Sequence, residues 1–241
     1  MTYSKFILII LNFFDFFQQL KVINFIKKKY SDPIVVFDIG AHHGETIRLF
    51  FKKLKLKKIY SFEASPKNFE ILSRNISRYN PEKLEIYNFG IGHEISKKYI
   101  NQTLESSSST INELNSSSKY YKKKLKILNI KEQEPFFQQI PISMLTLDHF
   151  IEKKKIRIID LLKIDTEGYE YNVIKGLSKK NSHKVKLIYF EHHYDDMIIK
   201  DYKFGDIHKL LKARGFKMVK KSKMIFRKSF EYVYENQMRL F

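Results

Sequence analysis

Four carboxylates stand at the ends of buried-looking stretches of this sequence, and they offer its clearest chemistry. They close the runs Phe37-Asp38, Phe62-Glu63, Ile164-Asp165 and Phe190-Glu191. In an open parallel sheet the ligand crevice lies beyond the carboxyl ends of the strands, so we expect the four side chains to converge there. An acid after a strand can instead cap the next helix, an alternative that fits one position better than all four.

The turn after the first of these strands reads Asp38-Ile39-Gly40-Ala41-His42-His43-Gly44. Its glycines permit a tight strand-to-helix connection and a close backbone approach to a ligand. His42 stands where the dinucleotide fingerprint requires its middle glycine, and the chain has no Gly-Lys-Ser/Thr phosphate loop. An acid at Glu63 can accept hydrogen bonds from both hydroxyls of a ribose. These features predict a nucleoside without phosphates, of which S-adenosylmethionine (SAM) is the common example.

The elements that must position these residues follow from the rest of the pattern. From residue 34 onward short apolar runs alternate with segments of helical periodicity, which is typical of β-α repeats around a mostly parallel sheet. We therefore predict an α/β fold with seven strands, helices on both faces, and an antiparallel hairpin of the last two strands at the sheet edge. The predicted strands are 34–38, 58–63, 84–89, 158–165, 185–191, 216–220 and 230–234.

Local signals mark the helix ends and one long insert. Ser65-Pro66 predicts the start of a helix that ends at Arg78, and Gly215 follows a helix predicted to begin at Asp206. The alternation fails over about 93–140, where residues 106–118 include seven serines and residues 119–131 include six lysines. We expect a long, partly mobile insert, either a substrate loop or a solvated loop without function. An extra strand at 140–145 and a helix starting at Thr146 are predicted to follow it.

An N-terminal helix is predicted over residues 4–29, with Lys27–Lys29 at its end. We interpret residues 1–32 as an amphipathic segment and residues 33–241 as one domain. The helix can pack on that domain or lie on a membrane surface, with its lysines on lipid phosphates. Its most apolar stretch is shorter than the roughly 20 residues that span a bilayer. The expected apolar face consists of Ile7, Ile10, Leu11, Phe14, Phe17 and Leu20.

Composition narrows the possible classes. The 241 residues carry a formal charge of +19 and include no cysteine. The missing cysteines exclude disulfide scaffolds, thiol nucleophiles and cysteine-ligated metal centres, and they fit a reducing cytoplasm. We expect a cytoplasmic protein, with peripheral contact to the inner face of the membrane through residues 4–29 as an option. The positive charge suits nucleic acid or anionic membranes, but a lysine-favouring genome has the same effect.

Four ordered blocks of this sequence together resemble the FkbM-family methyltransferases, a branch of the class I SAM-dependent enzymes. The resemblance extends over residues 34–220, and its most specific block resembles the family pattern D-L-L-K-I-D-x-E-G-x-E. It implies a Rossmann-like class I methyltransferase fold. The blocks are Phe37–Gly44, Phe62–Pro66 with Asn68, Leu72 and Asn75, Leu145–Asp148 and Asp160–Glu170.

The resemblance also implies a reaction and a cofactor site. The reaction is transfer of the SAM methyl group to a hydroxyl oxygen, commonly on a sugar or a polyketide-type natural product. Glu63 would hold the ribose, while Asp38, Gly40, Ala41 and Gly44 would line the methionine end. The expected cofactor site further includes His42, Ala64 and Gly90. His42 and Ala64 stand where the family often has asparagine and proline, which affects the fine shape of the pocket.

A hydroxyl acceptor benefits from a general base beyond the fourth and fifth strands. We favour histidine because its unperturbed pKa lies near neutrality. Glu167 and Glu170 have an alternative interpretation, in which they stabilise the start of the next helix. The candidates for the base are Asp165, Glu167, Glu191, His192 and His193.

No metal site is predicted, although Glu191–Asp196 is dense in oxygen and nitrogen ligands. His192 and His193 are adjacent on an extended segment, so they face opposite sides and cannot easily bind one ion. A divalent ion that orients the acceptor is the alternative.

Two further functions stay open at this level. A charge of +19 would suit a nucleic-acid acceptor methylated at its 2′-hydroxyl. The chain could also be a non-catalytic SAM-fold scaffold at a membrane, although retention of all four strand-end acids argues against this. We expect the acceptor to be a glycan or glycoconjugate, with surface-polysaccharide modification as its context. The sequence predicts neither the acceptor's identity nor the oligomeric state.

Overall fold

The computed structural model describes residues 3–104, 106–130, 136–225 and 228–238, with side chains from Phe16 onward. The side chains of four residues of the expected N-terminal apolar face lie outside the described part, namely Ile7, Ile10, Leu11 and Phe14. Lys131 of the insert lies outside the described residues altogether. Within the described ranges the chain forms ten strands, β1 (Ile34–Ile39), β2 (Leu56–Phe62), β3 (Leu84–Tyr87), β4 (Gly90–Gly92), β5 (Ser96–Thr103), β6 (Phe137–Thr146), β7 (Ile159–Ile164), β8 (Val185–His193), β9 (Phe216–Lys223) and β10 (Ser229–Asn236).

Seven of these strands form the central sheet, in the order β3-β2-β1-β7-β8-β10-β9. Neighbouring strands from β3 to β8 are parallel, whereas β10 runs antiparallel to both β8 and β9. Strands β1 and β7 are buried along their whole length, which fits their nearly continuous apolar sequences. The predicted seven-stranded, mostly parallel sheet with an antiparallel hairpin at its edge is thus confirmed.

Helices cover both faces of the sheet, because successive strand residues point to opposite sides. Val36 packs in one core cluster with α1, α2 and α3, whereas its neighbour Phe37 packs in the other with α5, α6 and α8. The described ranges contain α1 (Tyr3–Lys29), α2 (Glu45–Lys53), α3 (Pro66–Ile76), α4 (Lys119–Leu128), α5 (Leu147–Lys153), α6 (Glu170–Lys175), α7 (Lys179–Ser182) and α8 (Phe204–Ala213).

Helix ends follow the local signals closely. The Ser65 hydroxyl accepts a hydrogen bond from the Asn68 N–H at 3.3 Å, and Pro66 is the first helical residue, so the predicted start of α3 is confirmed. Gly215 follows α8 with φ +85°, a conformation that glycine adopts without strain. Two predicted limits were wrong by two residues, since α3 ends at Ile76 and α8 begins at Phe204.

The insert is more regular than its sequence indicated. β6 pairs with β4 and with β5 to form a second, three-stranded sheet, and α4 lies between β5 and β6 along the chain. The strand at 140–145 and the helix after Thr146 are confirmed. Strands β4 and β5 and helix α4 were missed, because β5 buries the polar residues Asn101, Gln102 and Thr103 and therefore lacks an alternating apolar pattern.

Helix α1 packs on the sheet through its C-terminal half. Val22, Ile23 and Ile26 are buried in the same cluster as β1 and α2. Phe17 of the expected apolar face does not pack on the domain, since it is 46% exposed. No helix in the described part of the chain is long and apolar enough to cross a membrane. The division at residue 32 stays a prediction.

Candidate active site

The turn between β1 and α2 lies against two neighbouring strands. The N–H groups of Gly40 and Ala41 both donate to the Phe62 carbonyl oxygen, at 2.9 and 3.0 Å. Gly40 has φ +85°, and a Cβ at this residue would lie 1.8 Å from the Asp165 carbonyl oxygen. Only glycine fits here, because both the backbone conformation and the available space exclude a side chain.

Glu63 directly follows β2 and is tied to this turn. One carboxylate oxygen accepts the His42 N–H at 2.8 Å, and the other accepts the Ser65 N–H at 2.9 Å. Burial raises the pKa of Glu63 to about 7, although these two donors favour its charged form. A carboxylate has about four acceptor positions, so Glu63 retains capacity for a ligand hydroxyl beside these donors and the Asn68 side chain.

His42 and Gly44 complete the turn in left-handed conformations, with φ values of +49° and +88°. Histidine adopts this conformation more readily than most residues. Ala64 and Gly90 lie side by side, since a Cβ on Gly90 would be 3.4 Å from the Ala64 Cβ. We call this region the glycine corner; it comprises residues 38–44, residues 63–65 and Gly90.

A buried row of polar residues crosses the sheet just before its carboxyl edge. Asp38 is in register with Ser61 on β2 and with Lys163 on β7, and Lys163 is in register with Tyr189 on β8. The Lys163 ammonium lies 3.3 Å from the carboxylates of both Asp38 and Asp165. Burial raises the pKa of Asp38 against the opposing effect of Lys163. Burial also disfavours charge on Lys163, yet the two carboxylates raise its pKa.

Four carboxylates surround or adjoin a buried histidine at the ends of β7 and β8. His193 Nε2 lies 3.6 Å from Glu167 Oε2 and 3.7 Å from Glu191 Oε1, and its Nδ1 lies 3.7 Å from Asp195 Oδ2. The fourth acid, Asp165, acts electrostatically on Glu167. We call these five residues the histidine corner.

Charge in the histidine corner reverses the expected role of His193. Burial alone would lower the pKa of His193, but the negative charges of Glu191 and Glu167 outweigh it and raise the pKa to about 10. Burial raises the pKa of Glu167 to about 7, while His193 counteracts that rise. At neutral pH His193 is therefore protonated, and Glu167 is the group whose proton affinity suits a base.

His192 does not join this group. As an extended segment requires, it faces the other side of β8, where its ring lies 4.8 Å from Tyr194 and 5.8 Å from Phe204. Burial lowers the pKa of His192 to about 4, with a further contribution from Lys200. The structure thus separates the two adjacent histidines.

Glu170, the first residue of α6, stabilises the loop that carries Glu167. One Glu170 oxygen accepts the N–H groups of Thr166 and Gly168, at 3.3 and 2.9 Å, and the other accepts the Tyr202 hydroxyl at 2.9 Å. Glu170 thus stabilises the start of α6, as the alternative interpretation proposed. Glu167 itself has φ +49° and precedes the helix.

Residues 38–218 match the family description "Methyltransferase FkbM domain", which is most of the chain. This chain belongs to the FkbM methyltransferase family. The FkbM resemblance of its motifs is confirmed, and the matched range includes both the glycine corner and the histidine corner.

Individual relatives of this FkbM domain are distant. "Methyltransferase 1" of Beauveria bassiana is 24% identical over 160 residues, which cover 63% of this chain and 61% of that protein. A crystal structure of methyltransferase FkbM from Methylobacillus flagellatus superposes with a TM-score of 0.53 at 15% identity, over 85% of this chain and 44% of that one. The chain therefore spans less than two thirds of either relative.

A third relative was solved with a nucleoside. TrmK of M. capricolum, in complex with the cofactor product S-adenosyl-homocysteine, has a TM-score of 0.50 at 12% identity, over 89% of this chain and 67% of that one. At such identities the structural likeness establishes the fold. The predicted Rossmann-like methyltransferase fold is confirmed on these grounds.

Several site residues of this FkbM domain come from the insert and were missed. The Ser106 hydroxyl lies 2.8 Å from His42 Nε2 in the glycine corner. Thr110 donates from its hydroxyl to the Glu167 carbonyl oxygen at 2.7 Å, in the histidine corner. Lys124 of α4 donates to the Ser108 hydroxyl and acts electrostatically on Glu167. The serine- and lysine-rich composition carried no signal that could distinguish these residues from a solvated loop.

One group of potential metal ligands occurs among the described residues, namely His42, His43 and Glu45. The two imidazole rings are stacked, with centroids 3.7 Å apart and planes 19° apart. An ion lies near the plane of an imidazole that ligates it, so these two rings cannot both hold one ion without rotating. The group therefore supports no metal assignment.

Proposed function

We propose that this chain is a SAM-dependent O-methyltransferase that acts on a hydroxyl group of a sugar, a glycoconjugate or a natural product. Family membership supports methyl transfer. The observation that carries the proposal is the arrangement of the strand-end acids in two adjoining corners, one built like a nucleoside site and the other like a proton acceptor. The absence of cysteine favours the cytoplasm as its location.

The glycine corner fits SAM by the chemistry of its donors and acceptors. When bound, SAM supplies an electrophilic methyl group on a sulfonium centre. Glu63 has acceptor capacity beyond the N–H groups of His42 and Ser65 and the Asn68 side chain, which suits a ribose hydroxyl. The glycine turn would contact the methionine end of SAM. The same fold holds S-adenosyl-homocysteine in TrmK.

The histidine corner is suited to take a proton from the acceptor hydroxyl. Glu167 is buried and has a pKa of about 7, so its carboxylate binds a proton far more strongly than an ordinary glutamate does. His193 holds its own proton at neutral pH and serves as the cation that keeps Glu167 and Glu191 in place. The proton of the acceptor hydroxyl would move to Glu167 Oε2, beside His193.

The insert encloses both corners and would orient the acceptor. Ser106 contacts His42, Thr110 contacts Glu167, and Asn112 donates to the Gly168 carbonyl oxygen at 2.7 Å. Orientation of the acceptor oxygen is the main source of rate in such a transfer, and it is worth several kcal/mol.

The experiment that tests the proposal is titration of the purified chain with SAM by calorimetry, with NAD as a negative control. We expect SAM binding, and we expect Glu63→Gln to raise the Kd about tenfold or more, since one carboxylate acceptor is lost. Glu70→Gln on the exposed side of α3 is the matched control and should bind SAM like the wild type. Folded protein that binds no SAM would overturn the proposal.

A nucleic-acid acceptor is the second candidate, and the lysines of α4 next to the site are the observation that favours it. RNA binding that falls steeply with salt, together with methyl transfer to a 2′-hydroxyl, would support this candidate over a glycan. SAM binding without turnover on sugars, natural products or RNA would support the scaffold alternative.

A further inference from the structure

Helix α1 carries two exposed phenylalanines, and one of them lies in a stripe with two exposed lysines. Phe16 and Phe17 are 42% and 46% exposed, and Lys21 and Lys28 are exposed on the turns that follow. Phe17, Lys21 and Lys28 are spaced at helical intervals of four and seven residues, so they lie along one side of the helix. Exposed phenylalanines at this density require an explanation.

Packing on the opposite side fixes the direction of this stripe. Val22, Ile23 and Ile26 are buried in the core cluster of β1 and α2. The Lys29 ammonium also contacts the Glu235 carboxylate at 2.6 Å. Helix α1 therefore cannot rotate to bury Phe16 and Phe17 without giving up this core contact.

Helix α4 contacts α1 and adds positive charge. Its ten residues, Lys119–Leu128, include no acid. Tyr121 and Leu125 anchor it against Met197 and Ile198. Within the described ranges no ion pair involves its exposed lysines, Lys119, Lys122, Lys123 and Lys126.

The edge strand β9 adds lysines beside α1. The Ser222 hydroxyl donates to the Gln18 side-chain carbonyl at 3.4 Å, and the Lys220 ammonium lies 5.4 Å from the centre of the Phe25 ring. These two contacts place β9 directly beside α1. Exposed Lys217 lies on the same face, since it is in register with Glu235, the partner of Lys29. Lys221 points to the other face of the sheet, where it lies over the rings of Phe230 and Tyr232.

We propose that the outward stripe of α1, with the flanking lysines of α4 and β9, docks on an anionic lipid bilayer. Phenylalanine side chains enter the boundary between headgroups and acyl chains, and lysines bind lipid phosphates. The rings of Phe16 and Phe17 meet edge to face at 6.1 Å on a convex helix, without parallel faces on which nucleic-acid bases could stack. A membrane therefore accounts for both the aromatic and the basic residues.

Docking would bring the candidate active site close to the lipid surface. Helix α4 carries Lys124, which acts electrostatically on Glu167 of the histidine corner. On the basis of the proposed function, the acceptor hydroxyl would then be presented at the membrane, as part of a lipid-linked molecule. The docking itself depends only on the surface residues and can be tested without SAM.

The test is co-sedimentation of the full chain with vesicles of phosphatidylcholine that contain about 30 mol % phosphatidylglycerol, compared with pure phosphatidylcholine. We expect binding to the anionic vesicles and weak binding to the neutral ones. Each lysine near such a surface contributes about fivefold to partitioning, so Lys122→Glu with Lys123→Glu should lower the partition coefficient about tenfold or more. Phe16→Ser with Phe17→Ser should also lower it, and circular dichroism would verify the fold of each variant.

The matched control is Lys179→Glu with Lys180→Glu in α7, which makes the same charge change beside the amino end of β8. Equal losses in the control and in the α4 variant would show a general charge effect and overturn the proposed surface. No binding to anionic vesicles would overturn it as well. Binding of RNA through the same lysines, without vesicle binding, would show that this surface binds nucleic acid and not a membrane. If the chain binds SAM but does not bind vesicles, the docking proposal is rejected and the proposed function is unaffected.

Discussion

The glycine corner and the histidine corner adjoin on one sheet but are constructed differently. Nearly all of the glycine corner comes from residues 38–65, two adjacent strands with the short turns that follow them. The histidine corner combines the loop after β7 with the end of β8, and the insert closes it through Thr110 and Lys124. One corner is local in sequence, and the other is assembled from distant segments.

The two corners also differ in what holds them. Backbone hydrogen bonds dominate the glycine corner, including those from Gly40 and Ala41 to Phe62. Charge dominates the histidine corner, where three acids lie 3.6–3.7 Å from His193, distances too long for good hydrogen bonds. We infer that the glycine corner tolerates little change in shape, whereas the histidine corner responds mainly to pH and to changes of charge.

The largest effect is expected for Gly40→Ala. A Cβ would lie 1.8 Å from the Asp165 carbonyl oxygen, and alanine is strained at φ +85°. We expect a loss of about 4 kcal/mol or more in the free energy of unfolding, measured by urea denaturation. Gly205→Ala in α8 is the control, because nothing lies within 4 Å of its Cβ and helix propensity should stabilise it slightly. A loss below about 1 kcal/mol for Gly40→Ala would contradict the rigidity of the glycine corner.

His193→Gln should be the next largest change. Removing the cation leaves buried carboxylates without compensation, which costs about 3 kcal/mol of unfolding free energy. The pKa of His193 is raised in the folded state from 6.5 to about 10, so its stabilisation is complete below pH 6.5 and is lost as pH rises toward 10. The difference between wild type and variant should shrink over that range. The exposed histidine variant His183→Gln is the control. If the loss of unfolding free energy in His193→Gln did not depend on pH, or equalled the loss in His183→Gln, His193 would be uncharged.

Glu167→Gln should reduce catalysis without affecting the fold. If Glu167 accepts the acceptor's proton, kcat should fall about a hundredfold, while the Kd for SAM stays within about twofold. The wild-type rate should rise as pH passes through about 7, where Glu167 loses its proton. His193→Gln should shift that rise to higher pH, since His193 lowers the pKa of Glu167. The control is Glu113→Gln, which changes an exposed acid of the insert. An unchanged kcat for Glu167→Gln would show that another residue is the base.

The smallest effect is expected for Ser106→Ala, which removes the contact from the insert to His42. One partly buried hydrogen bond contributes about 1 kcal/mol, so the unfolding free energy should fall by that amount or less. Thermal denaturation with and without SAM would measure it. A loss several times larger would make the insert an integral part of the glycine corner and weaken the contrast between the two corners.

The sequence predicted the glycine corner better than the histidine corner. The sequence predicted the turn between β1 and α2 and the acids Asp38 and Glu63 beside it, because the bonds that shape this corner join residues close in sequence. The predicted end of β1 at Asp38 was one residue short, since the strand continues to Ile39. Strand register decided that Lys163 pairs with Asp38 and Asp165. The unperturbed pKa of histidine favours His193 as a base, but it ignores the carboxylates that the fold brings to His193.

What the sequence determined by itself was the succession of the seven central strands along the chain, the family, and the set of acids near the carboxyl edge. These depend on apolar periodicity and on turns whose residues are neighbours. Only the tertiary structure decided that His192 and His193 separate, that Glu167 gains the raised pKa, and that Ser106 and Lys124 adjoin the site. Burial and Coulomb interactions depend on distances in space, and a serine- and lysine-rich insert carries no pattern that reveals where it folds.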